Sequence, residues 1–109
     1  MTLWEERAAR NEALFREVNE RVEELHDGLA NGGTADFVCE CADETCTRRI
    51  TVPLAVYEQT RADPHSFLVA PGHMQQELEH VISEEAGYVV VRKHSPVAAR
   101  IAEQTDPRA

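Results

Sequence analysis

A chain of 109 residues is long enough for one domain with a modest hydrophobic core. Its 20 acidic residues outnumber its 11 basic residues and give a net charge of −9, which disfavours binding to nucleic acid or to an anionic membrane surface. No apolar run approaches the roughly 18 residues of a membrane span, and the N-terminus lacks the pattern of a secretion signal. We therefore expect a cytoplasmic protein with neither nucleic acid nor a membrane as partner.

The first predicted element is an amphipathic helix over residues 1–28, with Asp27-Gly28 as its end. Two interleaved series with a seven-residue period form one narrow stripe of coiled-coil type along it. The stripe consists of Trp4, Ala8, Asn11, Phe15, Val18, Val22, Leu25 and Leu29. Two interpretations stay open. The helix from Trp4 to Leu25 forms a homodimer or binds another protein, or the stripe packs on the sheet of its own domain.

The rest of this helix is rich in acidic side chains, which we expect on its solvated face. These residues are Glu5, Glu6, Glu12, Glu17, Glu20, Glu23 and Glu24. The sequence Asn31-Gly32-Gly33-Thr34 then predicts a flexible joint over residues 29–36. A metal-stabilised core over residues 37–104 and a frayed tail over residues 105–109 complete the single predicted domain.

The core is predicted to be α+β, with a small antiparallel sheet of about four to five strands, a cysteine-rich knuckle and one or two short helices. Residues rich in β-branched side chains and bounded by turn signals indicate the strands. Pro53 and Ser95-Pro96 are typical of helix starts. The predicted strands cover residues 37–41, 48–52, 66–70, 80–83 and 88–93, and the predicted helices cover residues 53–62 and 97–103.

All three cysteines, Cys39, Cys41 and Cys46, lie within eight residues. Side chains at positions i and i+2 of a strand point to the same face, so Cys39 and Cys41 should present two thiols side by side. The short polar segment 42–45 suits a turn that returns Cys46 to them. Three thiolates on one loop form a partial tetrahedral shell for Zn²⁺. Glu40, between the first two cysteines, is expected to face away from them and to be exposed.

A fourth ligand must come from elsewhere in the chain, and His73 is the first candidate. It follows Pro71-Gly72, a tight-turn signal at the end of a short apolar strand, and such a turn can direct the imidazole inward. His65, which precedes the same strand, is the reserve candidate. The expected cofactor is one structural zinc ion, with iron less favoured. Only one residue separates the first two cysteines, whereas common zinc knuckles have two to four.

Several stretches together resemble a family of small bacterial proteins that has no established activity. The resemblance covers nearly the whole chain, and its most specific part is the pattern Val-Cys-Glu-Cys-x4-Cys followed by Pro-Gly-His. The matching residues are 10–20, Val38-Cys39-Glu40-Cys41, Cys46, Tyr57, Arg61-Ala62-Asp63-Pro64, Pro71-Gly72-His73 and Thr105-Asp106-Pro107-Arg108. The resemblance implies a stand-alone unit and adds weight to His73 as partner of the cysteines, but it implies no catalytic residue.

Three functions are compatible with these residues. A closed site of three thiolates and one imidazole indicates a binding or regulatory module with a structural metal. Alternatively, a thiol of the cluster, with Arg48 and Arg49 nearby to lower its pKa, serves as a redox sensor or as the nucleophile of a small enzyme. If one ligand were missing, zinc would have an open position and could activate water, with Glu40 or Glu44 as base.

Overall fold

The fold is described from a computed structural model, which covers residues 3–26 and 33–108. The α+β class is confirmed: a long N-terminal helix precedes five strands and two short helices. The elements in chain order are α1 (Leu3–His26), β1 (Thr34–Val38), β2 (Arg49–Pro53), α2 (Leu54–Arg61), β3 (Ser66–Val69), β4 (Glu79–Glu84), β5 (Val89–Lys93) and α3 (Pro96–Gln104).

The five strands form two antiparallel sheets, whereas the sequence predicted one. One sheet is the β1–β2 hairpin, and the other has the order β3-β5-β4. A bulge between Val81 and Ser83 interrupts the β4–β5 register. The segment after β1 runs beside β3, where the amide of Glu40 donates to the carbonyl of Leu68 at 2.8 Å. The main apolar core contains buried residues from both sheets.

The hairpin follows the alternation expected of a strand pair with one buried face. Ala35 and Phe37 of β1 point into the core, as do Ile50 and Val52 of β2. The Phe37 ring stacks on Tyr57 of α2 with centroids 4.3 Å apart. β1 begins three residues before the predicted strand and ends before the first cysteine. Of the predicted strand 37–41, only residues 37 and 38 belong to β1, and residues 39–41 follow it in the loop.

Helix α1 packs on the domain with a face that is largely polar. The residues buried along it are Ala8, Ala9, Glu12, Ala13, Arg16, Asn19 and Glu20. The prediction that Glu12 and Glu20 are solvated was therefore wrong. Of the predicted apolar stripe, Ala8 is buried and Val22 packs, partly buried, against the main core, whereas Trp4, Val18 and Leu25 are exposed. The predicted helix end at Asp27-Gly28, residues 29–32 of the predicted joint and Ala109 lie outside the described residues.

Arg16 explains how a polar helix face can be buried. Its guanidinium donates to the carbonyl of Pro64 at 2.6 Å and to that of Ala102 at 2.7 Å. It also lies over the Phe67 ring, 4.5 Å from the centroid. A buried guanidinium is tolerated when acceptors replace its hydration, so Arg16 links α1 to the start of β3 and to the end of α3.

The last described residues are held against the domain by ion pairs that the interpretation of a frayed tail did not anticipate. Arg61 of α2 pairs with both Glu20 of α1 and Asp106. Arg108 pairs with Glu20 at 2.8 Å and also with Glu23 and Glu58. These contacts place residues 105–108 across α1 and α2.

A second buried charge cluster joins α1 to the three-stranded sheet. The ammonium of Lys93 on β5 pairs with Glu12 of α1 and with Glu79 of β4, and all three side chains are fully buried. Burial raises the pKa of Glu12 to about 8, although the charge of Lys93 opposes this shift. The carboxyl of Glu12 therefore retains its proton to a higher pH than an exposed glutamate does.

Glu12 should make the protein less stable as the pH rises. Because the folded chain retains this proton between pH ~5 and about 8 while the unfolded chain loses it, unfolding free energy falls over that range, by at most about 1.4 kcal/mol per pH unit. Glu12→Gln should remove this contribution. Urea unfolding of both proteins at several pH values measures it, and the titration of the thiols is common to both. Identical pH slopes would contradict the assignment.

Across residues 3–26 and 33–108, no helix is both long and apolar enough to cross a membrane. The predicted division of the chain into helix, joint, core and tail stays a prediction.

Candidate metal centre

The three cysteines lie on and beside the loop that joins β1 to β2. The amide of Cys39 donates to the carbonyl of Arg48 at 3.1 Å and thus extends the hairpin pairing by one bond. The amide of Cys46 donates to the carbonyl of Asp43 at 3.0 Å. The Asp43 carboxylate also accepts from the Thr45 amide at 2.9 Å, which stabilises the turn. Local turn chemistry therefore returns Cys46 toward the first two cysteines, as the sequence predicted.

His73 reaches this loop through the turn that ends β3. The amide of His73 donates to the carbonyl of Ala70 at 3.0 Å across Pro71 and Gly72. Gly72 has φ +83°, the value that the third position of a type II turn requires and that favours glycine. Pro71, with its fixed φ, suits the second position of the same turn. The turn therefore positions the imidazole opposite the cysteine loop.

The four side chains converge on one point. The Sγ atoms of Cys39 and Cys46 each lie 3.6 Å from Nδ1 of His73. One ligand atom from each of Cys39, Cys41, Cys46 and His73 lies within 4.8 Å of the other three. A zinc tetrahedron with Zn–S bonds of about 2.3 Å and a Zn–N bond of about 2.0 Å has S–N edges of about 3.5 Å. The residues present therefore fit a tetrahedral metal ion.

Each of the three thiols affects the pKa of its neighbours. Hydrogen bonding from the Cys39 thiol lowers the pKa of Cys41 to about 5, and His73 contributes to the same shift. The same bond, together with burial, raises the pKa of Cys39. Burial also raises the pKa of Cys46. The deprotonated form of Cys41 is therefore favoured by its neighbours, and a bound cation would displace the remaining thiol protons of the cluster.

Glu40 is fully buried, so the prediction that it is exposed was wrong. Its carboxylate accepts from Nδ2 of Asn19 at 2.7 Å, from the amide of Leu68 at 3.0 Å and from the hydroxyl of Tyr57 at 3.3 Å. Burial raises the pKa of Glu40, although these hydrogen bonds oppose the shift. Glu40 faces away from the thiols, as expected, but toward the core.

Two asparagines of α1 support the cysteine loop, and sequence reasoning missed one of them. Asn19 both donates to the carbonyl of Val38 and accepts from its amide, at 2.8 Å each. Asn11, which the sequence places in the apolar stripe, donates to the carbonyl of Cys41 at 3.2 Å. The positions of Cys39 and Cys41 therefore depend on α1, and no local pattern around Asn19 indicates this role.

The other described histidines are not part of this cluster. The reserve candidate His65 lies at the opposite end of β3 and contacts Glu103 through Nε2 at 2.8 Å. His80 and His94 stack on each other with ring centroids 5.9 Å apart. His26 contacts the carbonyl of Val22 through Nδ1.

Comparisons with protein-family models, with curated proteins and with solved structures find no match to this chain. The family resemblance carried by the sequence motifs therefore stays a prediction, and function has to be argued from the site.

Proposed function

We propose that this protein is a small zinc-stabilised binding module, in which Cys39, Cys41, Cys46 and His73 hold one structural zinc ion. The observation that carries the proposal is the convergence of these four ligand atoms to within 4.8 Å of one another. Three thiolates and one imidazole complete a tetrahedron and leave no position for substrate or water, which is typical of a structural site. Thiolate-rich sites favour zinc or iron, and the single imidazole fits zinc better.

Such an ion would connect parts of the fold that share few backbone hydrogen bonds. Cys39, Cys41 and Cys46 belong to the hairpin, whereas His73 follows β3 of the other sheet. The amide of Ala70 already donates to Sγ of Cys39 at 3.1 Å, and a hydrogen bond of this kind orients and stabilises a metal-bound thiolate. Metal binding would thus contribute directly to the stability of the packing between the two sheets.

The thiol-redox alternative has one observation in its favour, the pKa of Cys41 near 5. However, Cys41 is only 2% exposed and Cys39 only 1%, so an oxidant or substrate would reach neither sulfur easily. Cys46 is the more accessible of the three, but burial raises its pKa. The geometry therefore supports a metal ligand better than a nucleophile.

The zinc-hydrolase alternative is less well supported. It requires an open metal position and a nearby base, yet four donors already converge here. The carboxylate of Glu40 is fully engaged with Asn19, Tyr57 and Leu68 and cannot serve as that base. Glu44, the other base that the sequence suggested, is exposed on the loop.

Native mass spectrometry with elemental analysis should find one zinc ion per chain. His73→Ala should lose or greatly weaken this ion, because three ligands remain, whereas His80→Ala, which changes an exposed histidine outside the cluster, should retain it. A metal-free chain whose thiols react rapidly with iodoacetamide in the native state would contradict the proposal and favour the redox alternative.

A further inference from the structure

The three cysteines of the candidate metal centre differ in how far solvent reaches them. Cys39 is 1% exposed and Cys41 is 2% exposed, whereas Cys46 is partly exposed. Residues 43–45 and 47–49, which flank Cys46 on both sides, are all exposed. A small oxidant can therefore reach the sulfur of Cys46 before it reaches the other two.

A bound zinc ion would hold Cys46 in the form that oxidants attack. Only the thiolate of cysteine is a zinc ligand, so metal binding removes the thiol proton. The thiolate is also the form that peroxides oxidise. The proposed site therefore keeps its most accessible sulfur deprotonated while it shields the two buried ones, which concentrates reaction with an oxidant on Cys46.

Cys41 is the cysteine best placed to bond to Cys46. Its ligand atom lies within 4.8 Å of that of Cys46, and only residues 42–45 separate the two in the chain. The β1–β2 register, if it continued into the loop, would set Cys41 opposite Cys46. Cys39 is less free to move, because its Sγ accepts a hydrogen bond from the amide of Ala70 at 3.1 Å.

We propose that Cys46 is an oxidation site and that the metal centre is a redox switch, in which hydrogen peroxide joins Cys41 and Cys46 in a disulfide and expels the zinc ion. This inference rests on the proposed zinc site. It differs from the redox alternative above, because the reacting thiolates are those of the metal-loaded protein.

The reaction has two steps. The thiolate of Cys46 attacks one oxygen of hydrogen peroxide, the O–O bond breaks, and hydroxide leaves, so that Cys46 becomes a sulfenic acid. The thiolate of Cys41 then attacks the sulfur of Cys46 and displaces a second hydroxide as the S–S bond forms. The two sulfurs lose two electrons in all, and the peroxide gains both.

The disulfide removes two of the four zinc ligands. Cys39 and His73 alone form an incomplete shell, from which the ion dissociates. The metal link between the β1–β2 hairpin and the turn after β3 is lost with it. Oxidation thus separates two parts of the fold that the reduced, zinc-loaded protein holds together, which is the two-state behaviour that a switch requires.

The segment between the two reacting cysteines also forms part of a surface groove. Ala42, Asp43 and Glu44 line one side of this groove, which has a volume of about 790 Å³. Trp4 and Arg7 of α1 line it on the helix side. Because the disulfide tightens the loop at both ends of this segment, oxidation changes the shape of the groove as well as the metal centre.

Peroxide treatment of the zinc-loaded full chain tests the switch. We expect about 1 mM hydrogen peroxide to release one zinc ion per chain, measured with a chromogenic chelator, in step with the formation of one disulfide. Free thiols are then alkylated and the chain is digested with a glutamyl endopeptidase. Cleavage after Glu40 and Glu44 places the three cysteines on separate peptides, and mass spectrometry should find those of Cys41 and Cys46 joined.

Cys46→His and Cys39→His form a matched pair, because each replaces one thiolate with an imidazole and keeps four potential ligands. Cys46→His should slow the release of zinc by peroxide at least about tenfold, since the accessible sulfur is gone. Cys39→His retains both reacting sulfurs and should release zinc within about threefold of the wild-type rate. Native mass spectrometry first identifies which variants hold zinc, and the digest of the wild-type chain decides the question without them.

Three results would overturn the switch and leave the metal site standing: zinc retained in peroxide with no disulfide, a disulfide that includes Cys39, or equal slowing in the two variants. A chain that binds no zinc before peroxide is added overturns the proposed function, and the switch with it. Measuring the metal before and after oxidation therefore distinguishes the two failures.

Discussion

Cys41→Ser is expected to release the metal ion and to lower the free energy of unfolding by several kcal/mol. The sulfur of Cys41 is one of four converging donors, and metal-binding free energy in a site that exists only in the folded state is also folding free energy. Serine is nearly isosteric but is a far poorer zinc ligand. Urea unfolding of the variant and the wild type, each with excess zinc, measures the difference.

The control for this substitution is the same pair of proteins with the metal removed by a chelator. Without zinc, the variant loses only a buried thiol and should differ from the wild type by about 1 kcal/mol. Glu44→Gln, an exposed change in the same loop, should unfold like the wild type with or without zinc. A Cys41→Ser protein as stable as the wild type in excess zinc would rule out a structural metal.

Lys93→Met is expected to destabilise the protein by about 3–5 kcal/mol, because it leaves Glu12 and Glu79 buried without their shared cation. Methionine occupies similar space, so the loss reports the uncompensated carboxyls more than a cavity. The side chain also gives up its contact with the Phe67 ring, where the ammonium lies 4.7 Å from the centroid. Urea unfolding at pH 7 measures the effect.

The triple variant Glu12→Gln, Glu79→Gln, Lys93→Met tests the cause. Because no buried charge remains in it, it should regain most of the stability that Lys93→Met loses. A single variant within 1 kcal/mol of the wild type would show that water or relaxation already compensates the cluster. A triple variant no more stable than the single one would assign the loss to packing around Phe67.

Predictions from the sequence were most accurate where the deciding interactions are local. The Pro71-Gly72 pair determines a turn within four residues, and the turn after Asp43 depends on its own side chain. The strands and short helices likewise follow from patterns a few residues long. For this reason the α+β class and the convergence of the three cysteines with His73 could be predicted from the amino-acid sequence.

Predictions failed where a polar group finds its partner far along the chain. Glu40 was expected in solvent, yet its acceptor oxygens meet Asn19 and the Leu68 amide, which are 21 and 28 residues away. Glu12 was assigned to a solvated face, but Lys93, 81 residues away, binds it in the core. A periodic pattern cannot reveal a buried ion pair, because its members look solvent-exposed when each is considered alone.

Helix α1 has features that follow from its local sequence and features that depend on long-range contacts. Its length and its apolar stripe follow from the seven-residue periodicity of the sequence by itself, because that pattern is a property of the helix alone. Only the tertiary structure decided that Trp4, Val18 and Leu25 of this stripe are exposed, whereas Ala8 is buried and Val22 packs against the core. The opposite face meets backbone carbonyls and charged side chains that need hydrogen bonds, and Arg16 and Asn19 supply them where leucine could not.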